Sequence, residues 1–379
     1  MKILVTVNTF YPLKDGVQAV TEYLTRGLVQ KGHEVTVVTS QVAGSPHEEN
    51  NMGMKIIRVP VRTKYGIHRG DKNAYRRLIL QLAQKADVLI NVCTQTAMTD
   101  YLYPVLSQIK CKKILHMHGM YDFHWRRSDF NSCKVFAYKI WRHIRWGWLY
   151  FVSPGKFKQY DYVLQLHRFD DGYVFFKKHY GIDSVILENA ADPQFYTPAT
   201  QAKQPYAICV SNYIPRKNQE FLLEAFYKSQ ASRNMKLILV GSRETPYYAY
   251  LKKCQAKLQQ RYGVREVEML TNISREKTVE YVRNASVYLM SSTWEAFSIS
   301  LIESMAAGTP FISTDVGVAR YLPGGIIAKT PEDMAYWLEI LQTNPEVSHA
   351  LAAAGRDYYH KNLTVDSKVN QLEQLIKQV

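Results

Sequence analysis

The sequence predicts an α/β protein built from two doubly wound parallel sheets, and three observations favour this fold class. The chain has 379 residues, which is more than one ordinary hydrophobic core holds. Short apolar runs alternate with stretches whose apolar residues recur at helical spacing, the pattern of strands and helices in parallel sheets. A Pro- and Gln-containing segment, Thr197 to Pro205, reads as a linker. We therefore place the domains at 1–200 and 201–361.

Composition excludes several protein classes. No apolar run reaches 18 residues, so a membrane-spanning helix is not expected. The chain opens directly on a strand pattern, Met1 to Val5, and we expect a cytosolic protein without a cleavable signal. The five cysteines are scattered without zinc spacing, which indicates reduced packing residues and no metal site. The net charge of +15 indicates an anionic partner, which charge alone does not identify.

The first half predicts one strand-loop-helix-strand unit after another. Gly16 stands at the entry of the first helix, as in a nucleotide-binding half, although Gly-x-Gly-x-x-Gly is absent. An ordinary loop glycine is the alternative. The predicted strands of this half are Lys2 to Asn8, Glu34 to Thr39, Lys55 to Val59, Asp87 to Val92, Lys112 to His116, Tyr160 to Leu164 and Ser184 to Leu187.

The second half predicts the same alternation. A strand at Tyr206 to Val210 leads into a loop with the adjacent cations Arg216 and Lys217 and then into a helix, an arrangement that suits a diphosphate. Further strands are expected at Lys236 to Val240, Val287 to Met290 and Phe311 to Ile312, and helices at Pro331 to Leu341 and Val347 to Tyr359.

The stretch 285–317 carries the two carboxylates that the sequence singles out. Glu295 falls in a loop and Glu303 inside the following helix, which we expect to start near Ser298. The amides at that helix start would hold a diphosphate, Glu303 would accept hydrogen bonds from a ribose, and Glu295 would reach hydroxyls beyond the phosphates. The alternative is that Ser300 and Glu303 form only a capping box.

These residues resemble the signature of glycosyltransferase family 4. The resemblance rests on Glu295 and Glu303 with seven residues between them, on Phe297, and on the run Met305 to Pro310. It implies a retaining, nucleotide-sugar-dependent enzyme of GT-B architecture, in which two Rossmann-like domains face each other across a cleft. It also implies that Glu295 contacts the donor sugar and Glu303 the donor ribose, and that a C-terminal helix, about 362–379, packs back on the first domain.

The resemblance extends to other positions and has departures. It implies that Gly16 lies against donor phosphate, that His118 contacts the transferred sugar, and that the loop beginning at Thr271 borders the base; a structural role is the alternative for His118. Lys217 matches the family lysine, whereas Asn212 stands in place of the family arginine, so Arg216 is expected to supply the second charge. Small residues replace the usual glycines at Ala296 and Ser298, and Ala190 does so in the stretch Asn189 to Asp192.

The segment 121–160 is basic and aromatic. Its eight Lys and Arg residues against two Asp give a net charge of +6. Tryptophan interleaved with cations is typical of membrane-interface surfaces and of single-stranded nucleic-acid binders; we favour an anionic membrane or acceptor face and expect no nucleic acid. A solvated basic helix whose aromatics fill the core is the alternative. The residues assigned to this face are Arg126, Arg127, Trp141, Arg142, Arg145 and Trp146.

The resemblance implies a hexosyl-type retaining glycosyltransferase that moves a sugar from a nucleotide donor to a glycan or lipid-linked acceptor in cell-surface polysaccharide synthesis, and the resemblance alone favours a UDP-linked donor. No Asp-x-Asp suits a metal, and Arg216, Lys217 and helix amides could replace one, so we expect transfer without a metal or cofactor. We expect it in the cytoplasm, at the inner face of the cell membrane. Two other functions remain open: a nucleotide-sugar epimerase, and a catalytically silent GT-B protein that regulates a transferase, which Asn212 favours.

Overall fold

The computed structural model describes residues 1–13, 15–64, 66–196 and 203–378, with the side chains of 127, 128 and 154 excepted. It consists of two compact units. The first comprises residues 1–188 and 368–379, and the second residues 189–367. The sequence placed the boundary at residue 200; residues 189–196 instead pack with the second unit, and most of the predicted linker, 197–202, lies outside the described residues.

The first unit is built on an eight-stranded sheet in the order β10-β9-β8-β7-β1-β2-β4-β3. All of its pairings are parallel except that of β3 with β4. β2 lies on one side of β1 and β7 on the other, so the strand order reverses between β1 and β7. The loops that follow these two strands diverge at their carboxyl ends and form a crevice. The strands are β1 (Lys2–Val7), β2 (Glu34–Ser40), β3 (Glu48–Asn51), β4 (Met54–Val59), β7 (Val88–Val92), β8 (Lys112–His116), β9 (Tyr162–Gln165) and β10 (Val185–Ile186), with a separate hairpin of β5 (Arg62–Lys64) and β6 (Ile67–Arg69).

Helices of the first unit cover this sheet. The apolar spacing in the first of them buries Val20, Leu24 and Leu28 against the sheet, as the sequence predicted. Asp15 caps its start by accepting a hydrogen bond from the Gln18 amide. The helices are α1 (Gly16–Gln30), α2 (Lys72–Ala83), α3 (Ala97–Asp100), α4 (Cys133–Gly147) and α5 (Asp171–Tyr180).

The last helix of the chain, α12 (Val365–Gln378), packs on α1 of the first unit from Lys368 onward. Val369 fills the notch that the missing side chain of Gly27 leaves, since a Cβ there would overlap with the valine methyl groups. Glu373 accepts a hydrogen bond from His33 and forms an ion pair with Lys31 at 3.0 Å.

The second unit is built on a six-stranded, fully parallel sheet in the order β13-β12-β11-β14-β15-β16. Its strands and helices confirm the predicted alternation. The strands are β11 (Gln204–Val210), β12 (Lys236–Gly241), β13 (Val267–Thr271), β14 (Ala285–Met290), β15 (Phe311–Ser313) and β16 (Gly325–Ile327). The helices are α6 (Gln219–Lys228), α7 (Pro246–Tyr262), α8 (Arg275–Asn284), α9 (Ile299–Ala306), α10 (Pro331–Thr343) and α11 (Pro345–Asn362).

Candidate functional site

The candidate site of the second unit lies at the carboxyl ends of β11 and β14. β12 follows β11 on one side while β14 pairs on the other, so the strand order reverses between β11 and β14. Loops that leave adjacent strands at such a switch point diverge and form a ligand crevice. The loop 211–218 follows β11, and the loop 291–298 follows β14.

Lys217 and Glu295 meet across these two loops. The Lys217 ammonium donates a hydrogen bond to Oε1 of Glu295, and both side chains are largely buried, with 18% and 12% of their area exposed. Side-chain and backbone contacts fix the spacing of the loops: Ser291 Oγ donates to the carbonyl of Lys217 at 3.0 Å, and the Thr293 amide donates to that of Arg216 at 2.8 Å. The predicted phosphate cation and the predicted sugar-binding carboxylate thus form one cluster.

Arg216 and Asn212 lie in the same β11 loop. Arg216 is exposed, and its guanidinium lies 5.3 Å from the ring centre of Trp294, next to Glu295. Asn212 is exposed, and its backbone carbonyl accepts from Gln219 Nε2 at 3.1 Å. A second cation therefore stands beside Lys217, although it does not come from the position that the family arginine occupies.

Among the described residues, no side chain caps the start of α9. Ser298 is its N-cap residue, as predicted, and in the part of the chain that the structure describes its side chain caps none of the first-turn amides. The capping-box alternative is wrong. Ser300 lies inside the helix and forms a hydrogen bond with the Ser298 hydroxyl at 3.0 Å, and Glu303 accepts a hydrogen bond from Arg275 instead of capping the helix. Free first-turn amides attract an anionic group.

Gly317 lets the backbone approach the loop before α9 closely. Its φ is +53°, in the left-handed region that favours glycine. A Cβ at this position would lie 2.5 Å from the carbonyl oxygen of Glu295 and would overlap with that of Ala296. The shape of the Glu295 loop therefore depends on a glycine from the turn after β15.

Glu303 is buried, with 4% of its area exposed, and its partner was not predicted. Arg275, the first residue of α8, donates from Nη2 to Glu303 Oε1 at 2.6 Å. Burial raises the pKa of this carboxyl, the guanidinium opposes the rise, and Asp192 adds to it. The sequence pattern pointed only to the loop 271–274, and the available signal for Arg275 was its position directly after the Ser274 cap.

Of two further predicted positions, Phe297 borders this cluster and Thr271 lies further along the same edge of the sheet. The carbonyl of Phe297, which is buried, accepts from Asn189 Nδ2 at 3.0 Å, so the Asn189 to Asp192 stretch is tied to the Glu295 loop. Thr271 ends β13, two strands away from β11 in the sheet, and is half-buried.

The first unit holds Gly16 and His118 at the carboxyl ends of its strands. Gly16 is the first residue of α1. His118 follows β8, its ring centre lies 4.3 Å from that of His116, and its Nε2 has no hydrogen-bond partner among the described residues. Burial, and then the neighbouring His116, hold the pKa of His118 well below its usual 6.5, so its imidazole is neutral at physiological pH. A buried imidazole nitrogen without a protein partner is suited to a ligand hydroxyl.

The predicted basic and aromatic face is only partly exposed. Trp146 is 2% exposed and belongs to the core of the first unit, so its assignment to a surface face is wrong. Its apolar ring gains more from the core than from water. Arg142 stacks on Tyr121 at 4.7 Å and Arg145 on Trp146 at 4.9 Å, and both are half-buried, as is Trp141.

Arg126 donates to Asp122 at 2.7 Å, and the side chain of Arg127 lies outside the described residues.

An apolar stripe that was not predicted is exposed instead. It recurs every four residues along α4 and the turn after it, so its side chains share one helix face. Ile144 is 69% exposed and Trp148 is 60% exposed. These exposed residues, which we call the α4 stripe, are Phe136, Ile140, Ile144 and Trp148. Within the described residues, no helix is both long and apolar enough to cross a membrane.

Two family profiles match the chain. Residues 14–164 match Glycosyltransferase Family 4, and residues 194–357 match Glycosyl transferases group 1, so each match falls on one unit of the fold.

Similar proteins agree with these matches. One component of the phosphatidylinositol N-acetylglucosaminyltransferase of Arabidopsis thaliana is 24% identical over 92% of this chain and 77% of its own length. Alpha-monoglucosyldiacylglycerol synthase of Acholeplasma laidlawii is 23% identical over 93% and 91%. The crystal structure of Anabaena HepE in complex with UDP superposes with a TM-score of 0.70 at 13% identity and full coverage of both chains, which confirms the GT-B fold. The chain belongs to glycosyltransferase family 4.

Proposed function

We propose that the protein is a retaining glycosyltransferase that moves a sugar from a nucleoside diphosphate, without a metal, to a glycan or lipid-linked acceptor of cell-surface polysaccharide. The observation that carries this proposal is the pairing of Lys217 with Glu295 at the switch point of the second unit. The buried Glu303 lies in α9, the helix that directly follows the Glu295 loop. A cation for phosphate, a carboxylate for sugar hydroxyls and a carboxylate for ribose are what a nucleotide sugar requires.

The charges of this site fit the charges that develop during transfer. When the bond from the anomeric carbon to phosphate oxygen breaks, the sugar becomes positive and the diphosphate negative. Lys217, Arg216 and the α9 amides would stabilise the leaving diphosphate, and every 1.36 kcal/mol gained by the transition state is about tenfold in rate. Retention would follow from attack by the acceptor on the face that the diphosphate leaves.

Donor binding would exchange the partners of Lys217 and Glu295. In the free protein the two groups neutralise each other. A bound donor offers phosphate oxygens to the ammonium and hydroxyl donors to the carboxylate, so neither group would be left buried without a partner. His118 of the first unit stays a predicted sugar contact, since a neutral imidazole can accept from or donate to a hydroxyl.

UDP is the donor nucleotide that we propose, and a hexose the sugar. The HepE structure contains UDP, which supports this choice. The test is a mass-spectrometric screen of the purified protein against UDP-, GDP- and ADP-sugars, with and without EDTA. We expect slow release of UDP from one UDP-sugar, at a rate that EDTA does not change. Turnover of only a GDP- or ADP-sugar would contradict the proposed donor, and loss of turnover in EDTA would contradict metal independence.

A catalytically silent regulator is the second candidate, because Asn212 stands where the family has an arginine. The same screen separates the two functions when nucleotide binding is measured in parallel. Binding of UDP without turnover, even after lipid-linked acceptors are added, would favour the regulator. Turnover would show that Arg216 and Lys217 suffice.

We also propose that the first unit lies on an anionic membrane surface at the inner face of the cell membrane. The α4 stripe supports this proposal, since four exposed apolar side chains at helical spacing fit the boundary between headgroups and acyl chains. Lys134 on α4 and Lys178 on α5 are exposed and would meet anionic lipid. Both relatives described above carry a lipid in their names, which supports a lipid-linked acceptor.

Vesicle flotation tests this surface. Wild-type protein is expected to float with phosphatidylcholine vesicles that contain phosphatidylglycerol, and less so in high salt. Ile144→Ser should weaken binding by at least about tenfold, because burial of one such side chain contributes about 1.5–3 kcal/mol. Val264→Ser is the matched control, since Val264 is 80% exposed in the second unit. Equal binding by the two variants, or none by wild type, would contradict the proposal.

A further inference from the structure

Among the described residues, Glu303 depends on a single charged donor. Its carboxylate is buried in α9, and Oε1 accepts from Arg275 Nη2 at 2.6 Å. A buried carboxylate remains ionised only when a cation or several hydrogen bonds compensate for the lost water. The guanidinium of Arg275 therefore acts on both the charge and the orientation of the group that we assign to the ribose.

The side chain of Arg275 is 44% exposed, and three further features orient it. The Ser274 hydroxyl accepts from the Lys277 amide and starts α8 at Arg275, which fixes the backbone of the arginine. The guanidinium lies 4.6 Å from the ring centre of Phe195 and 3.9 Å from Oδ2 of Asp192. A planar guanidinium held in this way presents its hydrogen to Glu303 in one direction only.

We propose that Arg275 is a positioning residue for nucleotide recognition: it holds Oε1 of Glu303 and thereby directs Oε2 at the ribose hydroxyls of the donor. The inference rests on the proposed function and deepens it by assigning ribose selectivity to a residue from another helix. Without Arg275 the carboxylate can rotate, and its second oxygen no longer meets the ribose in a fixed geometry. Arg275 touches neither the sugar nor the phosphates in this arrangement.

The experiment compares ribose with deoxyribose by titration calorimetry. UDP and 2′-deoxyuridine diphosphate are titrated into wild type, Arg275→Gln, Arg275→Lys and Lys277→Gln. Lys277 is the matched control because it lies on the same helix, is exposed, and pairs with Glu280 at 2.8 Å. The readout is the ratio of the two dissociation constants within each protein, and this ratio does not depend on the folded fraction of the sample.

Wild type and Lys277→Gln are expected to bind UDP about tenfold more tightly than the deoxy form, the effect of one hydrogen bond to a charged group. Arg275→Gln should reduce this preference to about twofold or less, and Arg275→Lys should restore part of it because it keeps the charge. A tenfold preference that survives in Arg275→Gln would overturn the positioning role.

Two other results separate this inference from the proposed function. Wild type that binds UDP and its deoxy form equally would overturn the role of Arg275 while leaving nucleotide binding intact. Wild type that binds neither of them, nor GDP, would overturn the donor site and the inference together.

Discussion

Lys217 and Glu295, 78 positions apart in the chain, form a hydrogen-bonded ion pair across the loops that follow β11 and β14. The pair places a phosphate-binding cation and a sugar-binding carboxylate within one hydrogen bond of each other. Each group therefore compensates the charge of the other in the free protein. Loss of one group is expected to change UDP affinity and sugar transfer by different amounts.

Glu295→Gln is expected to lower the turnover number by about 10²–10³-fold, because an amide no longer stabilises positive charge on the sugar. UDP affinity should stay within about threefold, since Lys217 remains and loses a competitor. Steady-state kinetics and calorimetry measure the two effects. Glu268→Gln is the control, because Glu268 is a half-exposed carboxylate that pairs with Lys236 in the same unit. Unchanged turnover in Glu295→Gln would exclude the assigned role.

The pH dependence of nucleotide binding should report Glu303. Burial raises the pKa of this carboxyl above its usual 4.5, Arg275 lowers it and Asp192 raises it. The ionised form accepts the ribose hydroxyls, so affinity is full above the raised pKa and is lost as the pH falls through it. Glu303→Gln should bind UDP weakly and lack this acid limb. An identical acid limb in the variant would assign the titration to another group.

Gly317→Ala should disturb the Glu295 loop more than an ordinary left-handed glycine substitution does. Gly44→Ala is the matched control: Gly44 has φ +78° and no atom within 4 Å of where a Cβ would lie, so it incurs only the left-handed strain of about 1–2 kcal/mol. Gly317→Ala adds an overlap with the Ala296 carbonyl. We expect a larger fall in the free energy of unfolding and a weaker UDP affinity for Gly317→Ala. Equal effects of the two substitutions would contradict the close-approach argument.

Acid should weaken the contact of α12 with α1. Hydrogen bonds from Lys377, Lys31 and His33 lower the pKa of Glu373 to about 2, from 4.5. A lowered folded-state pKa stabilises the protein above the unfolded value and loses this effect as the pH falls. The difference in melting temperature between wild type and Glu373→Gln should therefore be largest at neutral pH and shrink from pH 4.5 towards 2. A difference that does not depend on pH would point to packing alone.

The sequence predicted the architecture of both sheets because buried parallel strands are continuous apolar runs bounded by glycine and polar loops, as at Tyr206 to Val210 and Val287 to Met290. The hairpin β5–β6, strand β3 and the two edge strands of the second sheet, β13 and β16, were not predicted. These strands are short or only partly buried and carry no continuous apolar run, as Arg62–Lys64 shows.

The candidate site was predictable where its residues follow a strand end, as Lys217 and Glu295 do. The role of Arg275 was not predictable. Its contact with Glu303 joins two helices across 28 positions of the chain, and no periodic pattern in the sequence indicates this contact. The exposed face of α4 was also misassigned, because tryptophan and arginine are amphipathic and either solvent or the core accepts them. Their partners decide which, and Trp146 has its partners in the core.

The packing of Val369 into the notch at Gly27 affects the order in which the protein can fold during synthesis. The surface of α1 that receives this valine is complete within the first thirty residues, but its cover is made only after residue 368. An emerging chain therefore carries the uncovered notch at Gly27 on its first unit throughout synthesis of the second. The amino-terminal unit is made first and finished last, and a stop codon that removes only α12 would leave it permanently open.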